Sequence, residues 1–248
     1  MSLEEIRLER SADGRLARLK IERPPVNVLR VCDLEALATS LGQAHGAEIL
    51  VLSGLPRAFS AGVDIADHAP EADAIERMLS AMRQVLGRLV ALPAVTVACV
   101  SGACLGGGAE VAAACDLVFA ADDARIGFPE IRVACFPPGA AVLLPARIGE
   151  ARASEWILRG GIYSGRDAAT AGFATRAFPA DALERETGRV IAELLSRSPL
   201  ALASARDLIR RCRREALARD LSRAEEAYRR LVGSEELAKA VEGFRKSR

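Results

Sequence analysis

Two glutamates stand in apolar surroundings, where a carboxyl group needs a partner or a chemical task. Glu110 lies within the segment AEVAAA, and Glu130 follows Phe128-Pro129 and precedes Ile131. Burial would raise the pKa of both carboxyls, because removing a charge from water is costly. Two carboxyls in different environments can divide the roles of general acid and general base. Each also has a simpler interpretation: Glu110 as the complement of a helix dipole, and Glu130 as the partner of a neighbouring arginine.

A glycine-rich turn precedes Glu110. The apolar run 94–100 predicts a buried strand, Gly106-Gly107-Gly108 follow it, and an apolar helix begins directly afterwards. Glycine lets the backbone approach a ligand closely, and the first turn of a helix offers unpaired N–H groups. Such a turn can stabilise an anion, including the enolate of a thioester. It also fits a plain strand-to-helix connection, whereas the missing Gly-Lys-Ser/Thr ending disfavours a phosphate-binding loop.

The composition indicates an ordinary globular protein. Of the 248 residues, 50% are apolar, 27% are charged and 4% are aromatic, and the formal net charge is +1. The low aromatic content argues against base-stacking surfaces, and the longest apolar run, 89–100, is too short to span a bilayer. The polar N-terminus does not resemble a targeting peptide. We therefore expect a cytoplasmic protein without a membrane or nucleic-acid partner.

The chain has six cysteines and two histidines, His45 and His68. No C-x-x-C pair occurs, and most of the cysteines lie in apolar runs. We interpret them as reduced, buried small apolar residues. With so few histidines, we expect no metal site.

Strand and helix patterns alternate along the chain, which favours an α/β fold. Segments 54–62 and 102–108 are expected to be loops, because they are rich in glycine and proline. Ser198-Pro199 precedes a long helical tail, so we divide the chain into a core of 1–196 and a C-terminal helical region of 197–248. The expected strands are 16–21, 48–52, 94–100 and 117–120, and the expected helices before the tail are 33–44, 73–92, 109–114, 151–159 and 165–171.

Four segments, in the same order, resemble the enoyl-CoA hydratase/isomerase (crotonase) superfamily. The resemblance spans essentially the whole chain. It implies a spiral of ββα units, C-terminal helices that build trimers or hexamers, and an acyl-coenzyme A thioester as substrate, with no further cofactor. The segments are RPPVNVL (23–29), AFSAGVDI (58–65), GACLGGGAEVAAACD (102–116) and FPEI (128–131), with a weaker fifth match, SPLALASAR (198–206).

The resemblance also implies roles for individual residues. The backbone N–H groups of Val63 and Gly107 would form an oxyanion hole. Glu110 would position and deprotonate water, and Glu130, 20 residues later as in hydratases of the family, would deliver a proton to the substrate carbon. The residues expected to contact coenzyme A are Val26, Val28, Ala61, Val63, Asp64, Ile65 and Ala66.

The sequence departs from the common short-chain pattern after Glu130, where Cys135-Phe136-Pro137-Pro138 replaces a glycine-rich run. The added proline is expected to stiffen and reshape the acyl pocket. These features are most similar to the cyclohexa-1,5-dienecarbonyl-CoA hydratases. The residues expected to line the acyl pocket are His68, Met82, Cys135 and Phe136, although His68 also fits an exposed loop position.

The arginine-rich tail leaves a second class of function open. Residues 206–230 hold nine arginines and five acidic residues. Such a run is usually the solvated face of a helix, whose arginine stems cover apolar surface. The alternatives are a clamp for the phosphates of coenzyme A and an RNA-binding surface, although the near-neutral net charge argues against RNA.

The main expectation is therefore an acyl-CoA hydratase. Its substrate would be a cyclic dienoyl thioester or a branched, methylglutaconyl-type thioester. Isomerisation or decarboxylation at the same site is the alternative within the family.

Overall fold

Strands and helices alternate along the residues that the computed structural model describes, which are 5–64, 72–231 and 234–246. The first half contains β1 (Ile6–Arg10), β2 (Leu16–Ile21), β3 (Val28–Leu29), α1 (Val31–Gln43), β4 (Ile49–Ser53), β5 (Ala58–Ser60), β6 (Gly62–Val63), α2 (Ala72–Ala91), β7 (Val95–Val100), β8 (Ala103–Leu105), α3 (Gly107–Ala114), β9 (Leu117–Ala121) and β10 (Arg125–Gly127). The second half contains a 3₁₀-helix (Pro129–Val133), α4 (Pro138–Ile148), α5 (Glu150–Arg159), β11 (Ile162–Ser164), α6 (Gly165–Ala171), β12 (Arg176–Phe178), α7 (Leu183–Leu195), α8 (Pro199–Arg229) and α9 (Glu235–Lys246).

Two sheets share the strands of a repeating ββα unit. The larger has the order β1-β2-β4-β7-β9-β12, the smaller has the order β11-β10-β8-β5, and β3 pairs separately with β6. The pairs β4/β5, β7/β8 and β9/β10 each send their first strand to the larger sheet and their second to the smaller one. A helical segment follows each pair. The expected ββα spiral is therefore confirmed.

The centre of the larger sheet fixes the position of α3. All six residues of β7 are buried, as expected for a strand with parallel neighbours and both faces covered. The chain leaves β7, forms β8 in the smaller sheet and enters α3 two residues later. Two sheets thus determine where α3 begins.

The sequence predictions located most of the long elements within a few residues, but they missed α7 and most of the short strands. The segments predicted as loops contain β5 and β8, which have three residues each. Strands of this length show too little alternation to be recognised. Helix α4 was also missed, because it begins with Pro138 and contains Pro145. Proline is tolerated in the first turn of a helix, where no intrahelical N–H bond is lost.

The C-terminal helices pack on the core. Helix α8 has 31 residues, begins with the side-chain cap Ser198 and packs against α2 and α4. The predicted division between residues 196 and 197 falls in the connection between α7 and α8, and a separate C-terminal unit stays a prediction. None of the described helices is both long and apolar enough to cross a bilayer.

The cysteines are free, but not all of them are buried. Burial is confirmed for Cys99, Cys104, Cys115 and Cys135. It is wrong for Cys212, which is exposed on α8 because the charged side of that helix faces solvent there.

Candidate active site

A cavity of about 410 Å³ brings most of the predicted site residues together. Val26 and Asp64 lie outside its lining, but they join its wall: Ala61 N–H donates to Val26 O (2.9 Å), and Asp64 N–H donates to Leu29 O (2.8 Å). Ile65, Ala66 and His68 lie outside the described residues. The predicted residues that line the cavity are Val28, Ala61, Val63, Met82, Gly107, Glu110, Glu130, Cys135 and Phe136.

Two backbone amides lie close together on one side of the cavity. Gly107 is the first residue of α3, so its N–H has no partner within the helix. A β-carbon placed on Gly107 would lie 3.7 Å from Val63 N and 2.7 Å from Val63 Cγ2. The backbones of Gly107 and Val63 therefore approach as closely as the missing side chain allows. Two neighbouring N–H groups can bind an oxyanion.

Asn27 braces the loop that carries Val63, a role that the sequence analysis did not assign. Its buried Nδ2 lies within hydrogen-bond distance of Ala58 O (2.9 Å) and Phe59 O (3.1 Å) in β5. The backbone carbonyl of Asn27 accepts a hydrogen bond from Ser60 Oγ (2.8 Å), and Ser60 Oγ in turn accepts one from Gly62 N–H (3.1 Å). This network connects the RPPVNVL segment to the AFSAGVDI segment in the folded chain.

Glu110 is buried between two helix N-termini. It lies in the first turn of α3, and its side chain is met by the first turn of α4. Ala140 N–H donates to Glu110 Oε1 (2.8 Å), and the N–H of Gly139 also hydrogen-bonds the carboxyl. Burial raises the pKa of Glu110 to about 7, and the two backbone donors oppose that rise. Near neutral pH this carboxyl can serve as a general base.

Glu130 lies in the 3₁₀-helix, opposite the glycine turn. A β-carbon on Gly106 would lie 2.6 Å from Glu130 Oε1, and Glu130 Oε2 is buried without a hydrogen-bond partner. Burial, and secondly the charge of Glu110, raise the pKa of Glu130 to about 8. A carboxyl that retains its proton at neutral pH can serve as a general acid.

Gly106→Ala is expected to lower the free energy of unfolding by about 1–3 kcal/mol, because its backbone angles (φ 51°, ψ −127°) are nearly restricted to glycine. The new methyl group would also displace the Glu130 carboxyl. Urea unfolding measures the loss. Gly188→Ala in α7 is the matched control, since a β-carbon there has no neighbour within 4 Å and should stabilise the helix by up to about 1 kcal/mol. A Gly106→Ala protein as stable as its parent would contradict the assigned strain.

The C-terminal helices form a wall of the cavity that was not predicted from the sequence. Tyr228 is 2% exposed, and its ring packs edge-on against Phe136 at 5.6 Å between centroids. Its hydroxyl lies beside the Cys135 thiol, whose pKa is raised, chiefly by burial. The residues of α2, α8 and α9 that complete the wall without having been predicted are Met78, Leu79, Arg83, Leu221, Glu225, Tyr228 and Leu237.

Three arginines of α8 face inward. Arg206 and Arg210 are 8% and 1% exposed, and both donate to Asp116, directly after α3. Arg213 is half-buried, with Nη2 3.6 Å from the same carboxylate. The interpretation of the tail as a solvated face is therefore wrong for Arg206 and Arg210, because Asp116 gives them a buried acceptor. Neither is available to clamp a phosphate, and RNA binding stays an untested alternative.

Sequence comparison identifies the family. The profile described as enoyl-CoA hydratase/isomerase matches residues 11–248. The chain belongs to the enoyl-CoA hydratase/isomerase family. This membership confirms the resemblance carried by the four sequence segments.

Relatives within the enoyl-CoA hydratase/isomerase family match in sequence and in fold. Cyclohexa-1,5-dienecarbonyl-CoA hydratase of Thauera aromatica is 36% identical over 158 residues, which are 62% of this chain and 60% of that protein. A probable enoyl-CoA hydratase of Bacillus subtilis is 34% identical over 206 residues, 80% of each chain. The crystal structure of an enoyl-CoA hydratase from Mycobacterium avium subsp. paratuberculosis matches with a TM-score of 0.88 at 26% identity, covering 97% of this chain and 99% of that one.

Proposed function

We propose that this chain is an acyl-CoA hydratase, which adds water across a double bond conjugated to a thioester carbonyl. The observation that carries the proposal is that Glu110 and Glu130 line one cavity beside the backbone of Val63 and Gly107. The family of the chain supports it, as do the names of the two relatives described above, a hydratase and a probable hydratase.

In the proposed reaction, the N–H groups of Val63 and Gly107 donate to the thioester oxygen and stabilise the enolate. Ionised Glu110 takes a proton from a water molecule, whose oxygen bonds to the β-carbon. Protonated Glu130 gives its proton to the α-carbon, so the product is a 3-hydroxyacyl thioester. The chain and the substrate supply every reacting group, and we propose no separate cofactor. Coenzyme A would extend along Val26, Val28 and the segment 61–66.

Isotopically labelled water tests the reaction class. Hydration places the oxygen label in the product hydroxyl, whereas double-bond isomerisation and decarboxylation place none in the product. Label absent from the products of all tested thioesters would overturn the proposed function.

For the acyl group, we propose a cyclic dienoyl thioester. The edge-on rings of Phe136 and Tyr228, together with Pro137 and Pro138, give the cavity a stiff, largely apolar wall. The Thauera aromatica relative supports the same substrate. Comparing kcat/KM for a cyclohexadienecarbonyl thioester, crotonyl-CoA and a methylglutaconyl thioester decides between this and the branched alternative.

The rate is expected to follow a bell-shaped pH profile. Glu110 must be ionised, so kcat/KM should rise as the pH passes about 7, and Glu130 must be protonated, so kcat/KM should fall as the pH passes about 8. Because the two carboxyls interact, the apparent pKa values on the two sides of the profile describe the pair and not one residue alone. Initial rates between about pH 6 and pH 9 measure the profile, and a flat profile would contradict the division of roles.

For the assembly, we propose a trimer, alone or paired into a hexamer. Leu200, Leu208 and Ile209 on α8 are 78%, 71% and 79% exposed, which is costly for large apolar side chains in a monomer. Light scattering should give three or six times the chain mass of 26.3 kDa. Ile209→Asp should reduce that mass, whereas Leu158→Asp, at an exposed position of α5, should not. A monomeric parent protein would contradict the proposal.

We also propose a cytoplasmic location, because six free cysteines fit a reducing compartment. Fractionation of cells that produce the tagged protein tests it. Recovery outside the cytoplasm would contradict it.

A further inference from the structure

The part of the cavity wall that α8 forms contains a buried carboxyl in apolar surroundings. Leu221, Glu225 and Tyr228 lie on one face of α8, and all three line the cavity. Leu221 and Tyr228 are the apolar residues expected on such a face, with exposures of 5% and 2%. Glu225 lies between them and is only 1% exposed. Glu225 therefore occupies a position in the cavity wall where an apolar side chain would fit.

Two arginines neutralise Glu225. Arg83 of α2 donates to Glu225 Oε2, and Arg229 Nη2 lies 3.5 Å from the same oxygen. Arg229 also pairs with Glu76, with 2.7 Å between Nε and Oε2. Burial raises the pKa of Glu225, and both guanidiniums oppose that rise. When both glutamates are ionised, their negative charges balance the positive charges of the two arginines. Arg83 therefore offers no free charge to a ligand.

Stability alone does not account for this pair. Replacing a buried ion pair with apolar residues of similar volume often leaves stability unchanged or improves it. The pair formed by Glu225 and Arg83 instead changes the charge distribution of the wall that contacts the acyl chain. Of the described residues that line the cavity, Glu110 and Glu130 add two further carboxyls, while Arg132 is exposed to solvent.

We infer, on the basis of the proposed function, that Glu225 restricts the site to thioesters whose acyl group carries no negative charge. A carboxylate at the end of the acyl chain would be buried against the apolar wall beside Glu225. Of the two arginines among the described residues of the lining, Arg83 already has its partner and Arg132 is exposed to solvent. A buried carboxylate without a partner is costly, because no group at the wall replaces the water that it loses.

A matched pair of substrates tests the inference: hex-2-enoyl-CoA, and the same thioester with its terminal methyl replaced by a carboxylate. The parent protein should show a kcat/KM at least about 100-fold lower for the carboxylated thioester. Glu225→Gln leaves Arg83 without its main partner, so the carboxylated thioester should gain about tenfold or more. Glu226→Gln is the matched control, because Glu226 is exposed and pairs with Arg230 at the surface (3.0 Å). It should leave the ratio unchanged.

A double variant assigns the gain to Arg83. Arg83→Gln combined with Glu225→Gln should lose the gain, since no charged partner is left for the carboxylate. A Glu225→Gln protein that folds without any gain overturns the role of Glu225. If that variant does not fold, the parent's ratio and the dissociation constants of the two thioesters decide.

The failures of the two proposals look different. A parent protein that hydrates both thioesters with similar kcat/KM overturns the inference and leaves the proposed function standing. A parent that hydrates no thioester overturns the proposed function, and preference for the uncharged thioester in binding alone would still support the charge restriction.

Discussion

Glu110→Gln and Glu130→Gln are each expected to lower kcat for hydration by about 10²–10⁴-fold while the thioester still binds. Glutamine keeps the shape of the side chain but neither accepts a proton from water nor donates one to carbon. Because the amides of Val63 and Gly107 are untouched, KM or Kd for the thioester should change little. Initial-rate kinetics and calorimetric binding measure the two effects separately.

The matched control is Glu155→Gln, which replaces an exposed glutamate of α5 that pairs with Arg159. It should leave kcat unchanged. A glutamine variant at 110 or 130 that retains near-full turnover on the best substrate would refute the two-glutamate mechanism.

Folding should not suffer from the Glu110 change. A carboxyl whose pKa is raised by folding destabilises the folded state as the pH rises from its unfolded-state value towards about 7. Glutamine does not ionise and avoids this loss. At pH 8 the Glu110→Gln protein should therefore unfold at the same temperature as its parent or higher, which separates lost chemistry from lost structure.

Asp116→Asn is expected to reduce the free energy of unfolding by about 3–5 kcal/mol, a large fraction of the stability of a typical domain. It leaves the buried guanidiniums of Arg206 and Arg210 without their counter-charge. Asparagine keeps one acceptor oxygen, whereas Thr96 donates its N–H and hydroxyl to Oδ2 (2.8 and 3.1 Å) and Arg210 donates to Oδ1, so one set of bonds is lost. Thermal and urea unfolding at one fixed protein concentration measure the effect.

Asp207→Asn is the control, because Asp207 is exposed and pairs with Arg214 at 2.8 Å. Surface pairs of this kind contribute at most about 1 kcal/mol. Equal losses in the two variants would show that the cluster around Asp116 is not buried as described.

The sequence predicted the α/β class and most of the long elements, because hydrophobic periodicity over six or more residues reports directly on burial. From their apolar neighbours it predicted that the two glutamates are partly buried carboxyls, and the family resemblance assigned them the roles of base and acid. Their meeting in one cavity depended on the resemblance, since no pattern along the chain brings the 3₁₀-helix back to α3. Strands β9 and β10 connect α3 to the 3₁₀-helix, and because they lie in two different sheets they bring the chain back to α3.

The wall formed by α8 could have been recognised. Leu217, Leu221 and Tyr228 recur at helical spacing, and Glu225 lies on the same stripe. The nine arginines of the same segment indicate a charged, solvated helix and obscure this apolar stripe. Which element that stripe packs against follows only from three-dimensional structure, as does the inward direction of Arg206 and Arg210.

Helix α4 gives the base of the active site hydrogen-bond donors that do not depend on the side chains of the acyl wall. Its first turn supplies main-chain donors to Glu110, and its last turn returns Arg147 to the end of α3, where Nη1 donates to Cys115 O (2.9 Å) and Ala113 O (3.1 Å). The donors that oppose the effect of burial on the pKa of Glu110 are peptide groups, which amino-acid replacement in the acyl wall does not remove. Exchange of Phe136, Tyr228 or Glu225 can therefore change the acyl preference while the hydrogen bonds to the base stay in place.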